Sequence, residues 1–146
     1  MDFPIADLMD AELCDMWVMK YFHPAGLRCP HCNGAHEEVG GRFARNITSR
    51  VMEWRCKRCR KLYTIYSGTA FAGRHIRPAK VIMLLRGICQ GQSTASLARE
   101  LELSRTTVHG LRQQLQKNAA QMSPPTLPPD PVTEVDEVFI NAGEKR

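Results

Sequence analysis

Hydrophobic positions along this chain follow a period of about two from Glu37 to Tyr66 and about 3.6 past Ser67-Gly-Thr69. Glu37 to Ala44 and Val51 to Cys56 read as strands, and Leu62 to Tyr66 as a third. Ahead of them Asp10 stands where a helix N-cap belongs. Leu13, Trp17 and Tyr21 then fall four apart on one face of a helix that Pro24-Ala-Gly26 ends. That face is expected to pack on the strands, because so small a sheet cannot bury enough apolar surface alone. Past Ser67-Gly-Thr69, Pro78 suits a first helical turn, Val81, Leu84, Leu85 and Ile88 form a buried stripe, and Gly91 can close the helix. A second helix begins at Ser93 or Thr94 and turns Leu97, Ala98 and Leu101 inward. Ser104 caps a third, with Val108, Leu111 and Leu115 inside. Three short helices, the last two joined by a tight turn, predict a helix-turn-helix.

Beyond these helices Ser123 to Pro131 holds five prolines in nine residues and reads as a semi-rigid spacer. Val132 to Ile140 follows as a strand rich in β-branched residues, with Glu134, Asp136 and Val138 on one face. An acidic strand of this kind is either a metal-binding edge or an ordinary exposed strand. The predicted fold class is α+β. A small ribbon of short antiparallel strands precedes a three-helix module and an isolated terminal strand, within divisions at 1–72, 73–122, 123–131 and 132–146.

Two cysteine pairs of identical spacing change the picture of the strand region. Cys29-Pro-His-Cys32 and Cys56-Lys-Arg-Cys59 each place two thiolates where one metal can take both, and the 23 residues between the pairs are enough for a hairpin that brings them together. The spacing predicts a zinc ribbon with Cys29, Cys32, Cys56 and Cys59 as ligands. Asn33 and Gly34 support it, since a knuckle needs residues that tolerate left-handed backbone angles just after its second ligand. Two disulfides or a redox-active pair are the alternatives. The N-terminus carries Asp2, Asp7, Asp10, Glu12 and Asp15 where a signal peptide would have a basic and an apolar stretch, which points to a cytoplasmic protein with reduced thiols. His31 and His36 could each stand in as a ligand, and Cys14 and Cys89 are expected as buried free thiols.

Charge then narrows the partner. The chain carries a net +5, but Lys20 to Lys117 hold 18 of its 20 basic residues against five acids, a local balance of +13. Such a field favours a polyanion, nucleic acid above all, over an ordinary solvated surface once a recognition element is present. The third helix supplies one: Arg105, Thr106, His109, Arg112, Gln113 and Gln116 lie opposite its buried stripe and can bond to base edges or phosphates. No apolar run approaches a membrane span.

Several stretches in order resemble the N-terminal half of an insertion-sequence transposase with a zinc ribbon, a helix-turn-helix and an RNase H-like DDE core. They are Arg28-Cys-Pro-His-Cys32, Trp54 to Lys61 running into Ser67-Gly-Thr-Ala-Phe71, Ser96 to Ser104, and Glu134 to Lys145. By that resemblance Asp136 takes the place of the first catalytic aspartate, a magnesium ligand, and the partner is double-stranded DNA, the transposon's terminal inverted repeats. A homo-oligomer or association with a full-length transposase is also implied. The sequence departs from the family's pattern in having Glu102 where glycine is usual in the turn. It stops at Arg146, before the remaining carboxylates and the magnesium site of an intact core. The expected function is therefore a truncated, zinc-dependent, transposon-end-binding protein without strand-transfer activity of its own. A zinc-ribbon transcriptional regulator, and a nuclease whose carboxylates another chain completes, are the rivals.

Overall fold

The computed structural model describes residues 3, 4, 6, 8–45 and 50–122. Within them the chain is mixed α and β, with helices α1 (Ala11–Phe22), α2 (His36–Val39), α3 (Pro78–Cys89), α4 (Thr94–Glu100) and α5 (Arg105–Met122). Strands β1 (Gly40–Arg45), β2 (Met52–Cys56) and β3 (Leu62–Thr64) form one antiparallel sheet in sequence order. The spacer and the expected strand at 132–140, with Asp136, lie outside the described residues.

The sheet is shorter than its pattern predicts at both ends. Residues 37–39, expected as the start of the first strand, belong instead to the helical turn His36–Val39, in which Glu38 and Val39 donate their amides to the Ala35 carbonyl at 3.1 and 3.0 Å. Two glycines let that turn enter β1. A Cβ on Gly40 would lie 2.5 Å from the His36 carbonyl oxygen, and one on Gly41 2.3 Å from the Arg55 carbonyl oxygen, so neither position admits a side chain unless backbone moves. The β1–β2 register shifts between Gly40 and Phe43 in the same place. At the far end β3 stops at Thr64 because Ser67 turns back on it, its Oγ accepting from the Thr64 amide at 2.9 Å.

Helix α1 begins where the sequence indicates, with the Asp10 carboxylate accepting from the amides of Glu12 and Leu13 at 2.8 and 3.1 Å. Its buried face is rotated from the expected one: Cys14, Asp15, Trp17 and Val18 are buried, while Leu13 and Tyr21 are half-covered. The reason is that α1 serves two neighbours. It packs on α3, and it meets the sheet through the Asp15–Arg45 ion pair at 2.7 Å. At its end Phe22 stacks on Phe71 with ring centres 5.5 Å apart, and the His23 ring pairs with the Ile65 carbonyl at 2.7 Å. Burial raises the Asp15 pKa above the ordinary carboxylate value, although Arg45 pulls it back.

In the helical half, α3 starts at Pro78 and buries Val81, Ile82 and Leu84, with Leu85 and Ile88 partly covered. Gly87 is a true contact point, since a Cβ there would sit 2.3 Å from Leu97 Cδ2. Cys89, expected as a buried thiol, is exposed, because it lies one residue past the inward stripe in the last turn of α3. Cys14 is buried, as expected. Ser93 caps α4 through the Ser96 amide at 3.1 Å, and Ser104 caps α5 through the Thr107 amide at 3.0 Å. Leu97, Ala98, Leu101, Val108 and Leu111 are buried between them. These side chains join those of the sheet and α1 in one continuous core. Tyr66 links the two halves, its hydroxyl donating to the Ile76 carbonyl at 2.8 Å.

Candidate metal centre

The two cysteine pairs fold into two turns of the same construction. In the first, the Asn33 amide donates to the Cys29 carbonyl at 2.8 Å and the Cys29 amide to the Gly34 carbonyl at 3.0 Å. In the second, the Arg60 amide donates to the Cys56 carbonyl at 3.0 Å and the Cys56 amide to the Lys61 carbonyl at 2.9 Å. Asn33 and Arg60 occupy the equivalent left-handed position, with φ of 55° and 62°. Asparagine tolerates that geometry, whereas Arg60 adopts it at a cost of roughly 1 to 2 kcal/mol that the closed turn must offset. Arg28 secures the first turn by donating to the Asn33 carbonyl at 3.1 Å.

The turns bring the four sulfurs within 4.8 Å of one another. Cys29 Sγ lies 3.6 Å from Cys59 Sγ, and Cys32 Sγ 3.6 Å from Cys56 Sγ. A tetrahedral ion bound to sulfur at about 2.3 Å requires sulfur separations of about 3.8 Å, so the cluster could hold a metal ion. A disulfide needs about 2.05 Å, and all four are free thiols. Cys29 and Cys56 are buried and Cys32 and Cys59 partly so, leaving the cluster shielded on its inner side.

Electrostatics agree with a cation at the centre. The Cys59 amide, 3.4 Å from Cys56 Sγ, together with the other donors around it, brings the Cys56 thiol down to about 6. Against the pull of the Lys61 amide, burial and the neighbouring sulfurs push Cys59 up to about 11. Cys56 forms a thiolate readily and Cys59 then resists, a conflict that a bound cation would remove. His31 is exposed and His36 faces elsewhere: its Nδ1 and the Tyr63 hydroxyl share a hydrogen bond of 2.7 Å, and its ring meets Trp54 edge-on at 4.7 Å. Among the described residues neither histidine belongs to the sulfur group.

Around the cluster Arg28, Arg55, Lys57, Arg58, Arg60 and Lys61 are all exposed. On α5, Arg105, Thr106, His109, Gln113 and Gln116 are exposed as well. Arg112 differs from this group. It is half-buried, and its guanidinium donates to the Gln92 carbonyl in the turn between α3 and α4. As placed, it braces α5 against that turn. The sequence carried no local signal for this bond, because its acceptor is a backbone carbonyl 20 residues away. The turn before α5 holds Glu102 at φ 52°, the left-handed position expected of it, with its carboxylate 3.3 Å from Lys80 Nζ.

Comparison with protein-family models, with curated proteins and with solved structures finds no match to this chain. Among the described residues no helix is long and apolar enough to cross a membrane.

Proposed function

We propose that this chain is a zinc-stabilised protein that binds double-stranded DNA through a helix-turn-helix formed by α4 and α5. The observation that carries the reading is the exposure of Arg105, Thr106, His109 and Gln113 along one side of α5, directly after a capped turn. A helix so anchored offers its N-terminal half to a major groove, where Gln can pair with adenine and Arg with guanine. The exposed cations around the sulfur cluster add phosphate contacts, strong at low salt and weak in sequence preference. Zinc is the proposed ion, because a four-thiolate set with tetrahedral spacing suits it, and its role is structural since no ligand position is left open. The resemblance to insertion-sequence transposases makes transposon-end sequence the proposed target.

Selection of bound duplexes from a random pool tests this reading. A preferred site should emerge, and Gln113→Ala should weaken that site by about 1 to 3 kcal/mol while affinity for random duplex changes by less than about 0.5 kcal/mol. Equal losses on both would show that α5 touches only phosphates. A zinc-loaded chain that binds no duplex even at low salt would end the proposal.

A further inference from the structure

A second cationic feature lies away from the exposed face of α5. The start of α3, the ends of the β1–β2 hairpin and the segment from Leu8 to Cys14 enclose an open cleft of about 520 Å³, and Arg45, Arg50, Arg77 and Lys80 line it against a single acid, Glu12. Two of these cations are already engaged, Arg45 with Asp15 at 2.7 Å and Lys80 with Glu102 at 3.3 Å. Arg45 also donates to the Arg50 carbonyl at 3.1 Å, which ties the two hairpin ends together beside the cleft. Among the described residues Arg50 and Arg77 have no ion-pair partner, and both are exposed. No acidic side chain occupies the first turn of α3.

We propose that this cleft is a phosphate-binding site in which Arg50 and Arg77 grip one backbone segment of the bound duplex. Two guanidinium forks without an ion-pair partner among the described residues, one beside the hairpin and one at the start of α3, line the same cleft and match the planar, bidentate demand of a phosphodiester. Position favours the DNA backbone as the source. The Lys80 wall is joined by its ion pair to Glu102, two residues before the Ser104 cap of α5. A duplex read by α5 would therefore carry flanking phosphates past the turn toward the cleft. In this form the inference rests on the DNA-binding reading, and it adds a contact contributed jointly by the sheet hairpin and α3.

The test is the salt dependence of binding to a random duplex, measured by fluorescence anisotropy on the zinc-loaded full chain. Arg77→Gln and Arg50→Asn, the latter chosen because asparagine tolerates the φ of 56° at that position, should each lower the slope of log K against log salt by about 0.9. Lys20→Gln removes the same charge from α1 outside the cleft and should leave the slope near the wild-type value. Unchanged slopes for both cleft variants, with normal thermal unfolding, would overturn the site as a DNA contact. Should the wild-type chain bind no duplex, the DNA-binding reading fails and inorganic pyrophosphate decides the cleft. A rise in melting temperature with pyrophosphate that Arg77→Gln abolishes would support a site for a free phosphate compound, and no such rise would overturn it.

Discussion

From Leu27 to Thr64 the chain closes its two halves through four sulfurs and two paired turns, and its interior is thin: among the described residues Leu27, Val39, Val51, Trp54 and Tyr63 are the large apolar side chains buried there. From Pro78 to Leu111 the reverse holds. There Val81, Ile82, Leu84, Leu97, Leu101, Val108 and Leu111 are buried around close helix contacts, and no metal-binding group occurs among the described residues. A three-stranded sheet of this size cannot offset the entropy of ordering its chain by burial alone, whereas three interlocked helices come much nearer to doing so. One continuous core thus joins a thinly packed region built around four sulfurs that could hold a metal ion to a region held by helix packing.

The largest effect is expected from removing a sulfur. Cys56→Ser should destabilise the ribbon by on the order of 5 kcal/mol or more, lost as metal affinity, while helical circular dichroism from α3 to α5 largely persists. Chelation should reproduce the effect, and cooperative loss of all helical signal would mean that the helical half also depends on the metal. On the packed side Leu84→Ala should cost about 2 to 5 kcal/mol in denaturant unfolding, with metal stoichiometry unchanged, because the residue is fully buried.

Where the two regions meet, Arg45→Ala should cost about 2 kcal/mol at neutral pH by leaving the buried Asp15 carboxylate unpaired; the figure is kept low because Arg45 is 25% exposed. The pH dependence has a definite sign. Burial raises Asp15 above its reference value of 3.8, so the folded state holds the proton more tightly than the unfolded chain. The contribution of Asp15 to stability therefore falls as pH rises from 3.8 through the native value. In Arg45→Ala that window should extend upward, and urea unfolding at several pH values would detect it. The smallest effect is expected at the turn before α5. Glu102→Gly should stabilise by about 1 kcal/mol, since glycine relieves the left-handed conformation and the exposed pair with Lys80 contributes little. A loss of stability there would show that the ion pair outweighs the backbone strain.

What the sequence disclosed follows the same division. The paired turns were legible because each is local: cysteine, two residues, cysteine, with Asn33 suited to positive φ after the first pair, although Arg60 gave no such signal after the second. The caps at Asp10, Ser93 and Ser104 were legible for the same reason. The features that escaped depend on partners distant in the chain. The helical turn at His36 requires Gly41 to pass against the Arg55 carbonyl, and the inward turn of Arg112 requires the Gln92 carbonyl. Asp15 read as one more acid in an acidic N-terminus, because nothing near it in sequence announces Arg45. Cys89 was misplaced by a single position, at a helix end where the periodic stripe no longer decides burial.

Native mass spectrometry of the intact chain tests for metal in the four-cysteine cluster. One zinc ion per chain is expected, lost together with the ribbon fold on acidification or in Cys56→Ser. A folded chain that carries no metal with all its thiols free, or that carries two disulfides among Cys29, Cys32, Cys56 and Cys59, would contradict it.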